Sequence, residues 1–286
     1  MAFGSGDFVY EVEEDWGRLP LGWSFGWIPA VAVDSQDRVH VYSRSQHPMV
    51  VFDRDGRFVT HWGDAILKDA HGILIDDDDN VFCIERDTHC VHKFDKEGKL
   101  LMTLGIPNVP GETDEPFRQP TDAALDASGN IYVSDGYSNN RIHKFSAAGE
   151  WIKSWGGPGD GPGQFNLPHC VRVDRHNRVL VADRSNNRIQ FFDTDGKYLM
   201  EWGGFSRPDT IFIDADDIVY VADLGGWVRI LTLEGEPLSQ WGRGIRSDVP
   251  GEFRGCPHGI WVDSIGDLYV GEVQPGARLQ KFIRQR

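Results

Sequence analysis

Six segments of this chain share one register, and each closes on an aspartate: Asp34, Asp76, Asp126, Asp174, Asp214 and Asp263. The intervals between them are 42, 50, 48, 40 and 49 residues. A period of about 40–50 residues marks the blades of a propeller. Within a repeat, an apolar run such as Pro168-His169-Cys170-Val171-Arg172-Val173 leads to the aspartate, and a turn follows, as in Asp126-Ala127-Ser128-Gly129-Asn130. Asp, Gly and Asn suit such a turn because they tolerate tight or left-handed backbone. Three more short runs rich in Val, Ile and aromatics complete the repeat. They are too short for helices, and four of them make one four-stranded blade. The last repeat supplies only three runs, and residues 8–12 form a spare strand that can serve as its outer strand and close the ring. Closure removes the open edges that invite aggregation. The expectation is an all-β, six-bladed propeller forming a single domain over residues 1–286. A chain of this length would otherwise suggest two domains, but a repeat array overrides that prior.

The formal net charge is −15, from 44 acidic and 29 basic residues. Phosphate binding needs a basic surface, so neither a nucleic acid nor an anionic membrane is expected as partner. Part of the acidity belongs to the repeat: Glu85, Asp135, Asp183, Asp223 and Glu272 recur at one blade position, where loop hydrogen bonding explains them. Four cysteines, at 83, 90, 170 and 256, form no CxxC and no evident disulfide framework. Residues 1–7 lack the basic and apolar regions of a signal peptide, and no run is long enough to span a bilayer, so the expected location is cytoplasmic.

Five residues before each repeat aspartate, at the entry to the strand that lines a propeller's channel, the chain reads Pro29, His71, Thr121, His169, Asp209 and His258. A lone histidine there would most simply hydrogen-bond within the channel. Three in alternate repeats at one register instead converge on the axis, which suits one axial Zn2+ with a position left open for water or substrate. Iron or copper also accepts imidazole. The other histidines lack this register; His47 and His89 are the two expected near the channel mouth. Ten residues after the aspartate the second strand returns to the same face with Arg44, Arg86, Gly136, Arg184, Leu224 and Val273, and Tyr137 follows Gly136. Guanidiniums hold carboxylates in a two-pronged grip, so a small anionic substrate is expected. Tyr137 near a cation is placed to act as a base. For Arg86 the plainer alternative is a salt bridge to Glu85. Two Gly- and Pro-rich loops, 105–118 and 156–167, would shape the pocket.

The repeats resemble NHL repeats. More narrowly, Ser134-Asp135-Gly136-Tyr137-Ser138-Asn139-Asn140-Arg141-Ile142, Pro168-His169 with Ala182-Asp183-Arg184-Ser185-Asn186-Asn187-Arg188-Ile189-Gln190, Pro257-His258 and Ala70-His71-Gly72 resemble the catalytic core of the peptidyl-α-hydroxyglycine α-amidating lyases. The resemblance implies zinc ligands His71, His169 and His258, a catalytic Tyr137, and arginines Arg184 and Arg44 acting on the substrate. Where that family has a calcium-binding acid this chain has Gly259, so calcium is not expected. Where animal members have a disulfide cysteine it has Ser138. The implied activity is a zinc-dependent carbon–nitrogen lyase, cleaving an α-hydroxyglycine-type amide or ureide, ureidoglycolate for example, to an amide and glyoxylate. Two other classes remain open. One is a metal-dependent hydrolase such as a lactonase, with Asp209 as base or as partner of His169 or His258. The other is a non-enzymatic NHL binding scaffold.

Overall fold

The computed structural model describes residues 1–111, 117–274 and 276–285; residues 112–116, within the 105–118 loop, lie outside them. The repeat aspartates organise the chain locally. Each Oδ1 accepts two backbone N–H groups, from the residues two and four positions on, at 2.8–3.1 Å. The residue three positions on takes positive φ in all six turns: Asp37, Asp79, Gly129, Asn177, Asp217 and Gly266. A side chain that replaces the missing strand partners of two amides fixes both the turn and the register of the hairpin it closes. Val33 thus faces Val39, Leu125 faces Ile131 and Val173 faces Val179.

Among the described residues these hairpins extend into six antiparallel sheets, five of four strands and one of five, in a six-bladed β-propeller arrangement. Backbone contacts divide the chain into two compact units. Residues 71–208 carry three four-stranded sheets. Between these lie apolar clusters such as Phe82, Ile84, Phe117, Val133 and Phe145, and Tyr132, Phe165, Val181 and Phe192. Residues 1–70 with 209–286 carry the other three sheets, around Tyr10, Trp241, Phe253 and Phe282 and around Trp16, Val41, Phe52 and Tyr269. Each such aromatic or aliphatic side chain contributes about 1.5–3 kcal/mol on full burial.

The spare N-terminal strand is where the sequence placed it. Phe8–Glu13 pairs antiparallel with Leu279–Gln285 and completes the last repeat's sheet. Ala2–Ser5 then adds a fifth strand that was not anticipated, joined to Phe8–Glu13 through Gly6 and Asp7. A Gly-Asp pair between two short runs is a hairpin signal and could have revealed it. Glu85, Asp135, Asp183, Asp223 and Glu272 are fully buried. Asp135, Asp183 and Glu272 accept backbone N–H groups of the incoming loops, from Arg118, Asn166 and Gly255 respectively, which is the structural role expected of them. All four cysteines are buried. Among the described residues no helix is long and apolar enough to cross a membrane.

The first repeat's aspartate has a pH signature. Burial alone would push Asp34 up, but hydrogen bonds from His40 and from the Arg38 backbone, with the His40 charge and a hydrogen bond from the Arg38 side chain, hold it at about 2. The lowered folded value means that its stabilisation is present above pH 4 and lost as pH falls toward 2. That stabilisation is about 2 kcal/mol. Urea unfolding at pH 6 should therefore find Asp34→Asn weaker than wild type by about this amount, with the gap closing as the pH approaches 2. A gap that persists unchanged at low pH would remove the carboxylate from the account.

Candidate metal centre

Residues 71–208 assemble one group of the expected site residues. His71 lies on Ala70–Ile75 and His169 on Pro168–Val173; both are buried, and their rings are 4.7 Å apart. His71 Nδ1 donates to the Thr121 carbonyl at 2.7 Å. A carbonyl can only accept, so the neutral ring's Nε2 carries the free lone pair. The Tyr137 hydroxyl meets that Nε2 at 3.2 Å. His169 is the extra residue of a β-bulge: Pro168 pairs with Asp183 and Cys170 with Ala182. A bulge re-aims one side chain without shifting the rest of the strand. Gly136 makes this possible from the other side. A Cβ there would lie 2.1 Å from the Pro168 carbonyl oxygen, so only glycine lets the Tyr137 segment approach so closely.

The guanidiniums of Arg86 and Arg184 each lie 5.4 Å from the centre of the Tyr137 ring. An Arg184 Nη1 stands 3.5 Å from the phenol oxygen. The Tyr137 ring is thus held between two cations through its π face. Arg86 was expected to have Glu85 as its plainer partner. Instead its Nε and Nη2 form a fork on the Asp87 carboxylate, at 2.9 Å each. Glu85 is the buried last residue of the strand Val81–Glu85, whereas Asp87 lies with Arg86 in the turn beyond it and is exposed.

Residues 1–70 with 209–286 carry a second group. His258, also buried, is again the extra residue of a bulge, with Pro257 paired to Glu272 and Gly259 to Gly271. Its Nδ1 donates to the Pro29 carbonyl at 2.6 Å and lies 3.2 Å from an Asp209 carboxylate oxygen. The Asp209 carboxylate thus lies beside the His258 ring. Next door, a Cβ on Gly259 would meet Ala30 Cα at 2.8 Å and the Pro29 carbonyl at 2.9 Å. No side chain fits there, so the acid that the resemblance calls for has no room. Arg44 donates from Nε to the Ala70 carbonyl at 2.9 Å, lies 3.4 Å from Asp69, and stacks over Trp27 at 5.4 Å.

The three histidines that share the register are imidazole donors, His71 and His169 within residues 71–208 and His258 within the other unit. The donor set fits a zinc-class ion on two counts. All three imidazoles are buried, and on His71 and His258 a backbone carbonyl holds Nδ1 and leaves Nε2 as the ligand atom. Such outer partners fix the tautomer that a metal needs. The bulges and the carbonyl acceptors are the parts of this centre that sequence reasoning missed.

A six-bladed arrangement carrying buried imidazoles at one register defines a propeller with candidate metal ligands, and part of it is of a known repeat type: the NHL repeat model matches residues 117–145 and 165–192. The chain is also homologous to the amidating enzymes. It is 34% identical over 214 residues to the peptidylglycine α-amidating monooxygenase of Rattus norvegicus, covering 63% of this chain and 22% of that protein. It is 35% identical over 141 residues to the Caenorhabditis elegans protein named probable peptidyl-α-hydroxyglycine α-amidating lyase, covering 48% of this chain and 40% of that one. The chain thus spans well under half the length of these relatives. Among solved structures, a gluconolactonase from Xanthomonas campestris shares the fold, with a TM-score of 0.69, 13% identity, and coverage of 92% of this chain and 87% of that one.

Proposed function

We propose that this chain is a metal-dependent carbon–nitrogen lyase that cleaves R–CO–NH–CH(OH)–COO⁻ to R–CO–NH2 and glyoxylate. The observation that carries the reading is the buried His71–His169 pair, with rings 4.7 Å apart and the Tyr137 hydroxyl 3.2 Å from a His71 nitrogen, at a register that buried His258 shares. Homology to the amidating enzymes supports a lyase-like activity. An ion held by the three imidazoles, zinc in this reading, would supply Lewis-acid polarisation of the substrate hydroxyl. Tyr137 takes the hydroxyl proton. The C–O bond becomes a carbonyl while the C–N electrons pass to nitrogen, and Tyr137 returns the same proton there, so the step balances without a further reactant. Arg184 faces the phenol oxygen and orients it toward the substrate. Arg44 and Arg184 grip the substrate carboxylate and orient the breaking bond, with Arg86 beside them. The substrate is a small anionic α-hydroxy amide or ureide, and the reaction is cytoplasmic.

Elemental mass spectrometry of protein purified without chelators and passed through metal-free buffer tests the centre. About one tightly held zinc per chain is expected, absent from His169→Ala, together with glyoxylate release from hydroxyglycine or ureidoglycolate substrates that the variant loses. Protein that retains no metal after being supplied with zinc would sink the lyase reading and leave a binding propeller. Bound zinc with lactone opening and no glyoxylate would replace it with the hydrolase.

A further inference from the structure

A second cluster of metal-binding side chains stands apart from that centre. His47, in the loop between Val39–Tyr42 and Met49–Phe52, His61, on Phe58–Trp62, and Asp64 just beyond it bring one donor atom each within 4.8 Å of one another. The Asp64 carboxylate lies between the two rings, 3.2 Å from His47 Nδ1 and 3.6 Å from His61 Nδ1. By sequence His47 was expected near a channel mouth and His61 as an unremarkable strand residue. Nothing in the repeat register joins them, because His47 comes from a loop and His61 from an outer strand.

We propose that His47, His61 and Asp64 form a second site, for an exchangeable divalent transition-metal ion. Two imidazoles and a carboxylate are the donors that Zn2+, Ni2+ and Cu2+ accept, with Cu2+ binding most tightly in the general order. Ca2+ and Mg2+ prefer sets made wholly of oxygen. The geometry is held in advance. Trp23 stacks on His47 with ring centres 3.5 Å apart and planes at 15°, and it meets the edge of His61 at 4.9 Å. The Ser45 hydroxyl donates to the His47 carbonyl at 2.9 Å and accepts its N–H at 3.2 Å. Donors already positioned lose less freedom on binding. Side-chain exposures of 27% for His47, 38% for His61 and 43% for Asp64 make the site open to solvent, so its ion exchanges where a buried one would be retained.

The test is titration of the purified protein with zinc chloride, counting ions taken up beyond those that copurify. Wild type is expected to take up about one more ion per chain. His61→Ala should lose that uptake, and the milder Asp64→Asn should weaken it about tenfold or more. His169→Ala should keep it, which separates this site from the buried one. Cu2+ should quench tryptophan emission in wild type more than in Trp23→Phe. Uptake of equal amount and affinity in His61→Ala and Asp64→Asn would overturn the proposal, as would no uptake by wild type. Both substituted side chains are part-exposed, and circular dichroism checks that each variant keeps the fold.

Discussion

Replacing Tyr137 with phenylalanine is expected to lower turnover of an α-hydroxyglycine substrate by about 10²–10⁴-fold, the range for losing a positioned acid–base group, while KM moves only a few-fold. Phenylalanine keeps the ring between Arg86 and Arg184 and removes only the oxygen that faces His71 Nε2 and Arg184. The substrate carboxylate would still find its guanidiniums, so binding survives and proton transfer does not. An interaction made only in the transition state lowers kcat and kcat/KM together. Steady-state glyoxylate release by the two proteins checks this. A variant that turns over at the wild-type rate would remove Tyr137 from the chemistry. One that loses only affinity would recast it as a binding residue.

The largest stability effect is expected one residue along from the ring. Asp122 follows Thr121, and it is buried against Arg172 of the neighbouring repeat, whose Nη1 donates to its carboxylate at 2.5 Å. The same nitrogen also donates to the carbonyls of Val171 at 2.6 Å and Ala123 at 3.2 Å. Burial pushes the Asp122 carboxyl up, and the Arg172 charge works against that push. Arg172→Leu would leave a buried carboxylate without its counter-charge, and denaturant unfolding should show a loss of about 3–5 kcal/mol. Removing both charges in Asp122→Leu/Arg172→Leu should recover most of that loss, because apolar replacement of a whole buried pair is often close to neutral. A double variant as weak as the single one would mean that packing, not charge, sets the cost. The pair also bears on the metal centre. Gly72 follows His71, and a Cβ there would stand 3.0 Å from Asp122 Oδ1 and 2.6 Å from the Thr121 carbonyl. The missing side chain is what lets the Asp122 carboxylate sit beneath the His71 strand.

The turn aspartates show why so much of the fold was legible. Each acts over four residues, on its own amides, so its effect is written in the local sequence and repeats with it. The spare strand at residues 8–12 was legible for the same reason: the last repeat lacked one run, and only one unassigned run remained. Ala2–Ser5 was missed because four residues carry little pattern. In the site, the shared register of His71, His169 and His258 was visible because it is a period. Their partners were not, since His71 meets the Thr121 carbonyl and His258 the Pro29 carbonyl through contacts that no period encodes.

The sequence by itself determined the six repeats, the turn at each aspartate, the completion of the last sheet by the N-terminal strand, and the three histidines at one position. Only the tertiary structure decided where those histidines aim. A bulge of one residue sets the direction of His169 and His258. The tautomers of His71 and His258 depend on carbonyls 50 and 229 residues away in the chain. Strand direction and turn type follow from forces that act within a few residues. The aim of a ring nitrogen follows from cross-strand register and from acceptors that folding alone brings near.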